Sequence, residues 1–375
     1  MENGIGVSII CLAYNHKDYI EDALVGFVSQ HTNFTFEVIV HDDASTDGTT
    51  EIIARYTQRY PELIKPIYEQ ENQYSKGMLS SINISMTKAR GKYIAICEGD
   101  DYWTDAEKLQ RQYDILEKYK NLSMCVCAGV ELLSNGVKGK EIRPKTEDAI
   151  LNPEETILNG GAYLPTAALF WRKELFENLM EFETKLNIDY VWQIKGALNG
   201  GIYYIDKPMV VYRKGTEGSW TERIDRNSDR RKKFNKKVNE MLRQLDEDTL
   251  GQYHETILKR IMANEPFYDQ YMYHLGEIKK DLADGKSSKF LWGMGVRGEE
   301  FQKLCRNMGV ELTGVCDINN NHIGEKTMFD YYIYDTSYVF EFGDIIIASN
   351  DGVVAYLKEK GYAGIIISLQ KYEFI

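Results

Sequence analysis

Cationic side chains are in short supply in this 375-residue chain: 45 Lys and Arg face 57 Asp and Glu, a net charge of −12. Such a balance argues against nucleic acid as the main partner. Long apolar runs are missing too. None approaches the ~20 residues needed to span a bilayer, and the N-terminus lacks the basic-then-apolar pattern of a secretion signal. Cysteines number six and are scattered. Cys125 and Cys127 form a lone C-x-C with no second pair, which argues against a zinc site. Cys11, Cys97 and Cys316 lie in apolar runs and read as small core residues. The expected compartment is reducing cytoplasm.

What is present is an ordinary globular mixture, 43% hydrophobic and 27% charged, long enough for more than one domain. Its most informative stretch is Ile94-Ala95-Ile96-Cys97-Glu98-Gly99-Asp100-Asp101-Tyr102-Trp103. A short apolar run ends abruptly in three acids around a glycine, which reads as a buried strand whose C-terminal end carries charge. Crowded carboxylates repel one another unless a cation joins them. Mg²⁺ or Mn²⁺, held by one or two carboxylates and the oxygens of a diphosphate, fits that need. A solvated acidic turn leading into the next helix is the other reading of the same residues.

The preceding chain alternates strand and helix. Val7–Asn15 reads as a buried strand, and Tyr19, Ile20, Ala23, Leu24, Phe27 and Val28 recur at helical spacing. Phe36–Val40 is a second strand, with Asp47 placed to cap the following helix. Ile64–Tyr68 is a third, before the strand that ends in the acids. This order predicts a mostly parallel sheet covered on both faces, with a nucleotide crevice at its C-terminal edge.

Four motifs then carry a resemblance. Leu12-Ala13-Tyr14-Asn15, Asp42-Asp43-Ala44-Ser45-Thr46-Asp47-Gly48-Thr49, Glu71-Asn72-Gln73-Tyr74-Ser75-Lys76-Gly77 and Glu98-Gly99-Asp100-Asp101-Tyr102-Trp103 follow in order. Together they resemble family 2 glycosyltransferases of the GT-A fold, across the first 220 residues or so. The resemblance implies that Leu12, Tyr14 and Asn15 border the nucleotide, Tyr14 against its base. It implies that Asp43 accepts a hydrogen bond from a uracil ring N–H, with Asp42 a turn acid. Asp101 would contact the metal, Asp100 the metal or the ribose, and Glu98 would stand behind them. Lys76 would assist at a phosphate or stay solvated.

Further along, Leu122–Leu133 reads as a strand-pair region and Thr166–Arg172 as a strand. A helix opens at Asn187-Ile188-Asp189-Tyr190. In the family an acid at this place is the general base, so the resemblance makes Asp189 the base of an inverting transfer; the residues alone also allow a simple helix cap. Tyr203–Arg213 reads as a strand. The family often has a histidine shortly after its Tyr-Arg pair; here Gly215 stands there, so a third protein ligand for the metal is missing. Arg213 and Lys214 are then candidates to hold the diphosphate, and the glycine-rich loop behind them a lid. Neither the Gln-x-x-Arg-Trp element nor the membrane helices of processive synthases are present, which points to one sugar per acceptor.

Residues 221–243 are rich in Lys and Arg, with Phe234, Val238, Met241, Leu242 and Leu245 at helical spacing. A basic amphipathic helix can lie on an anionic membrane or pack on its own protein. Then Gly293-Met294-Gly295-Val296-Arg297-Gly298 follows a strand and opens a helix, and Asp317 ends the next strand. That is a dinucleotide-binding fingerprint, here with no catalytic set behind it; a structural, docking or regulatory role is preferred to active NAD chemistry.

The expected domains are 1–221, a GT-A glycosyltransferase; 222–285, a helical connector; and 286–375, a small Rossmann-like α/β domain. The expected function is inverting, metal-dependent transfer of one sugar from a nucleotide sugar, UDP-linked, to a bacterial glycan, lipid-linked sugar or glycoprotein. An NAD-dependent sugar-modifying enzyme centred on Gly293, Gly295, Gly298 and Asp317 is the alternative.

Overall fold

The computed structural model describes residues 4–74, 79–216, 219, 228–283, 285–318 and 322–373. The chain forms two compact units, Met1–Ile257 and Leu258–Ile375. In the first, β1 (Val7–Ala13), α1 (Ile20–Val28), β2 (Phe36–Asp42), α2 (Thr49–Arg59), β3 (Ile64–Tyr68), α3 (Leu79–Lys88) and β4 (Tyr93–Ile96) alternate as expected. Their strands lie in the order β3-β2-β1-β4, all parallel, with Ala13 opposite Asp42 and Ile10 opposite Ile96.

Side chains alternate across this sheet, so each strand feeds two cores. Val7, Ile9 and Cys11 join Ile20, Leu24, Phe27 and Ile53 on one face. Ile10, Ile39, Ile94 and Ile96 join Ile82 and Ala197 on the other. All are buried, and each large aliphatic stabilises the fold by about 2 kcal/mol relative to exposure. Cys125 and Cys127, two apart on one strand, share the first of these cores as free thiols. Period-two placement in a strand, not metal binding, accounts for that C-x-C.

The sheet continues through β5 (Tyr102–Trp103), α4 (Lys108–Lys118), β6 (Met124–Leu133), β7 (Lys138–Ile142), β8 (Ala149–Leu151), α5 (Pro153–Asn159), β9 (Phe170–Arg172), α6 (Glu181–Lys185), α7 (Asp189–Leu198) and β10 (Ile202–Lys214). Among the described residues ten strands result, ordered β3-β2-β1-β4-β9-β6-β10-β5, with β7 on β6 and β8 on β10. β9 runs antiparallel to both β4 and β6, and β5 antiparallel to β10.

Two local expectations are corrected. The region Leu122–Leu133 holds one continuous strand, Met124–Leu133, rather than a pair, because no chain-reversing residue interrupts it; its hairpin partner is β7. Thr166–Ala168 is a single 3₁₀ turn, and the strand starts only at Phe170. Pro165 precedes the turn, and buried donors hold its carbonyls: Trp103 Nε1–H donates to Ala167 O at 2.9 Å and Gln112 Nε2–H to Ala168 O at 2.8 Å.

The helices α8 (Ser228–Asp248) and α9 (His254–Asn264) follow. Val238, Met241, Leu242 and Leu245 are buried while Arg231, Lys232, Lys233, Lys236 and Lys237 are exposed. The apolar stripe of this basic helix is therefore spent on packing, and the Phe182 N–H donates to Asp248 at 2.8 Å beside it. Among the described residues no helix is long and apolar enough to cross a membrane.

In the second unit, α10 (Phe267–Tyr273) and α11 (Leu275–Asp281) precede β11 (Lys289–Trp292), α12 (Val296–Met308), β12 (Gly314–Cys316), α13 (Thr336–Phe342), β13 (Ile345–Ala348), α14 (Asp351–Glu359) and β14 (Ile365–Ser368). The strands form a wholly parallel sheet, β12-β11-β13-β14. The helices of 222–285, expected as a connector, are divided between the two units, with Tyr271 and Ile278 buried in the core of the second.

Candidate active site

The C-terminal ends of β1, β2 and β4 are tied together by backbone hydrogen bonds. Gly99 N–H donates to Leu12 O at 2.8 Å and Asp43 N–H to Ala13 O at 2.9 Å. Asn15, in the left-handed region at φ 54°, accepts from Thr46 N–H and receives Ser45 Oγ on its own N–H. Asp47 accepts from Lys17 N–H and Thr49 N–H and so closes the first loop onto the second; it is not the N-cap expected of it, which is Gly48, in the left-handed region at φ 107°. Tyr14 stands at the rim with 45% of its surface exposed. A large aromatic left in solvent beside such loops has a face free for a flat partner.

Asp43 is buried, and its carboxylate accepts from the backbone N–H groups of Gln73 and Tyr74 at 2.6 and 2.9 Å. It therefore holds the loop after β3 in place; an ionised carboxylate has about four acceptor sites, so room remains for another donor. Asp42 accepts from Ser45 N–H and Thr50 Oγ1–H, as a turn acid does. Lys76 lies outside the described residues.

The acid turn is the electrostatic centre. Asp101 is 1% exposed; its Oδ1 accepts the Arg213 N–H at 2.8 Å, and its Oδ2 has no hydrogen-bond partner among the described residues. Burial, then the neighbouring charges of Asp100 and Glu98, push its carboxyl well above the ordinary carboxylate range. Glu98 is pushed up to about 8 by burial, then by Asp100 and Asp189. An orphaned buried oxygen amid like charges suits a divalent cation, which would restore the ionised form. Among the described residues no set of three His, Cys, Asp or Glu stands ready as ligands. Asp101 and Asp100 would thus hold such an ion with substrate oxygens and water, as Mg²⁺ commonly accepts.

Arg213 does not extend toward open space. Its guanidinium donates to Asp100 O at 2.7 Å and to Asp22, and lies 5.2 and 4.5 Å from the ring centroids of Tyr19 and Tyr102. It braces the acid turn instead of standing free for a diphosphate. Lys214 pairs with Glu131 at 3.3 Å. Gly215 adopts φ +79°, a left-handed conformation that side chains rarely take, which is the local reason a histidine does not belong there. The next residue, Thr216, is buried and donates to Asp100 Oδ2 at 3.1 Å.

Asp189 opens α7. Its Oδ1 accepts the Tyr190 N–H at 2.7 Å and its Oδ2 accepts the Thr166 hydroxyl at 3.1 Å. Burial raises its carboxyl to about 6, against those two hydrogen bonds, which lower it. A carboxylate with that pKa is ionised at pH 7 and more basic than usual. Sequence reasoning missed Thr166 and Thr216, which belong to no motif or period, and His16. His16 Nδ1 is buried without a partner among the described residues, and a Cβ on Gly99 would meet it at 2.8 Å.

In the second unit, Gly293 and Gly295 lie in the turn from β11 into α12 and Gly298 in the first turn of that helix, and Asp317 Oδ2 accepts the Met294 N–H at 2.8 Å. These three glycines and Asp317 line one cavity.

Comparison with known proteins defines the class. The description of glycosyl transferase family 2 matches residues 8–177, and that segment of the chain belongs to the family. A protein of Mycobacterium tuberculosis, Rv1520, is 34% identical over 214 residues, 57% of this chain and 60% of the relative. The Escherichia coli UDP-Glc:alpha-D-GlcNAc-diphosphoundecaprenol beta-1,3-glucosyltransferase WfaP is 38% identical over 114 residues, 30% of this chain and 42% of the relative. The chain thus spans less than two thirds of the length of these relatives. The mannosyltransferase PcManGT from Pyrobaculum calidifontis, solved with GDP-Man and Mn²⁺, superposes with a TM-score of 0.51 at 18% identity, over 75% of this chain and 76% of that one. At that identity the likeness is one of fold.

Proposed function

We propose that the first unit is an inverting, metal-dependent glycosyltransferase. It moves one sugar from a nucleotide sugar, a UDP-sugar, to a hydroxyl of a glycan, lipid-linked sugar or glycoprotein. One observation carries this: Trp103, which ends the acid turn, donates to Ala167 O at 2.9 Å, and the hydroxyl of the adjoining Thr166 donates to Asp189 at 3.1 Å, so one 3₁₀ turn joins the acid turn to the helix acid. The family of residues 8–177 agrees, as do the UDP-glucose donor named for WfaP and the Mn²⁺ bound by the mannosyltransferase.

Asp189 takes the proton of the acceptor hydroxyl as that oxygen attacks the anomeric carbon opposite the departing diphosphate, which inverts the centre. The Thr166 hydroxyl and the Tyr190 N–H fix the carboxylate for this. Asp101 and Asp100 would hold Mn²⁺ or Mg²⁺, which when bound supplies positive charge to the leaving diphosphate. Arg213 keeps the turn bearing these acids in place, and Tyr14 offers its exposed ring to the base. Asp43 has acceptor capacity left for a uracil N–H.

Transfer from a panel of UDP-sugars by purified protein, with Asp189→Asn alongside, tests it. Loss of about 10²–10⁴-fold in turnover, with UDP binding kept, is the expected result. Full activity of the variant would sink the base assignment.

A further inference from the structure

The second unit holds a cavity that sugar transfer in the first does not use. It measures about 310 Å³ and is lined in part by Trp292, Gly293, Gly295, Asp317, Ser349 and Asn350. Its place follows from the topology. In the order β12-β11-β13-β14 the chain steps outward from β11 to β12, then crosses back to β13. The ends of β11 and β13 therefore part, and such a switch point is where parallel sheets take ligands.

Two of the three loop glycines are needed by the fold itself. A Cβ on Gly293, at φ +111°, would lie 1.9 Å from Ser349 Oγ, and one on Gly298 would lie 2.0 Å from the Gly293 carbonyl. Gly295 is different. Its φ is −72° and a Cβ there would meet nothing within 4 Å. Gly295 is the N-cap of α12, where Ser, Asp or Asn would serve at least as well; neither backbone angle nor packing requires glycine at this cavity-lining position, whereas a group that approaches the backbone does. Ser349, only 5% exposed, also lines the cavity. Its oxygen accepts from Asn350 at 3.3 Å, and its own proton has no acceptor among the described residues.

The polar groups suit a phosphate and a diol. The first-turn N–H groups of α12, a 13-residue helix, and the Ser349 hydroxyl are donors at one end. At the other is Asp317, whose Oδ2 accepts the Met294 N–H and which lines the cavity. Arg297 is committed to Glu373 at 2.7 and 3.1 Å, so no arginine fork serves the phosphate. Val296 and Ile318 line the cavity with 67% and 60% of their surface exposed, an uncovered apolar rim for a flat ring. The volume sits at the low end for ligand pockets, and the strand order, second-first-third-fourth, is that of the doubly wound sheets that take a mononucleotide at the first/third switch point.

We propose that this cavity binds a nucleoside mono- or diphosphate: phosphate over Gly293–Gly298 and Ser349, ribose diol on Asp317, base across Val296 and Ile318. A full dinucleotide is not its ligand.

Equilibrium dialysis of the full chain in EDTA against AMP, ADP, UMP, UDP and NAD⁺, with Gly295→Val and Asp317→Asn, decides it. Open space around residue 295 lets the valine fold normally while it fills the phosphate position. The expected result is that wild type binds one equivalent of a mononucleotide that Gly295→Val loses, with the ligand-free variant melting within a few degrees of wild type, since valine is only a poorer N-cap than glycine. Asp317→Asn, which still caps Met294, binds about tenfold more weakly, as does wild type with the 2′-deoxy analogue. Equal stoichiometry in wild type and Gly295→Val, no binding of any probe, or tighter binding of NAD⁺ than of AMP would overturn the assignment. Sugar transfer by Gly295→Val is expected at the wild-type rate, so failure here leaves the proposal for the first unit standing.

Discussion

The hydroxyl of Thr166 reaches Oδ2 of Asp189 across 23 residues of sequence, at 3.1 Å. It comes from a 3₁₀ turn gripped by Trp103 and Gln112, so the same Tyr-Trp that closes the acid turn also anchors the residue that orients the helix acid. With Thr166→Val the carboxylate loses one of its two donors, and its pKa rises. The acid limb of the transfer rate should move up by about one pH unit, with turnover at pH 8 kept within a few-fold. A pH–rate profile checks this. An unmoved limb would mean that Asp189 is not the group whose titration limits the reaction.

Asp189 is also a stability term, and its sign can be worked out. Its folded pKa of about 6 lies above the ordinary value of 3.8. The folded state therefore favours the protonated acid. The corresponding stability is fully present below about pH 4 and is lost as pH rises through 6. Asp189→Asn, always neutral, should melt about 2 °C higher than wild type at pH 7.5 while losing transfer. The advantage should vanish near pH 4. A variant that melts lower than wild type at pH 7.5 contradicts the burial of this carboxylate.

Asp101 carries the strongest case for a cation, because its Oδ2 is buried with no partner among the described residues. Mn²⁺ with UDP should raise the melting temperature of wild type by mass action. In Asp101→Asn that rise should disappear, and the metal-free variant should be at least as stable as wild type, since a repelled buried charge has gone. Thermal denaturation with and without Mn²⁺ gives both readings. An undiminished Mn²⁺ shift in the variant would place the ion elsewhere.

Much of this was legible in the sequence, for identifiable reasons. Three of the four parallel strands, β1, β2 and β4, announced themselves as apolar runs ending in polar turns, since strands buried on both faces carry little else; β3, at the sheet edge with Lys65 and Pro66, gave a weaker signal. Asp101 and Asp189 were legible through motif position. What sequence could not supply was the company each side chain keeps. Arg213 reads as a free cation, yet Tyr19, Tyr102 and Asp22, from distant stretches, fold around it. Thr166 looked like the start of a strand because Thr-Ala-Ala-Leu-Phe-Trp is apolar enough to be one. Its turn exists because Trp103 and Gln112 compete successfully for the carbonyls. Gly215 looked like a missing ligand; its positive φ reveals a backbone requirement instead.

Lys108 offers a last test, of the support beneath the site. It is fully buried, its ammonium donates to Gln112 Oε1 at 2.8 Å, and it lies 4.0 Å from the Trp103 ring centroid. Among the described residues it forms no ion pair, and burial pushes its pKa below the ordinary 10.5. A base with a depressed folded pKa costs stability as pH falls, because the unfolded chain takes up a proton that the folded chain resists. Lys108→Met fills similar space without that cost, but leaves Gln112 Oε1 without its donor, a loss of about 1 kcal/mol at any pH. The variant should therefore gain on wild type as pH is lowered from 10 toward 6, by up to about 1.4 kcal/mol for each unit of depression. Urea unfolding of both proteins across that range measures the difference. A gap that stays constant with pH would show that Lys108 keeps its ordinary protonation inside the fold, with the Trp103 ring and Gln112 compensating for the lost water.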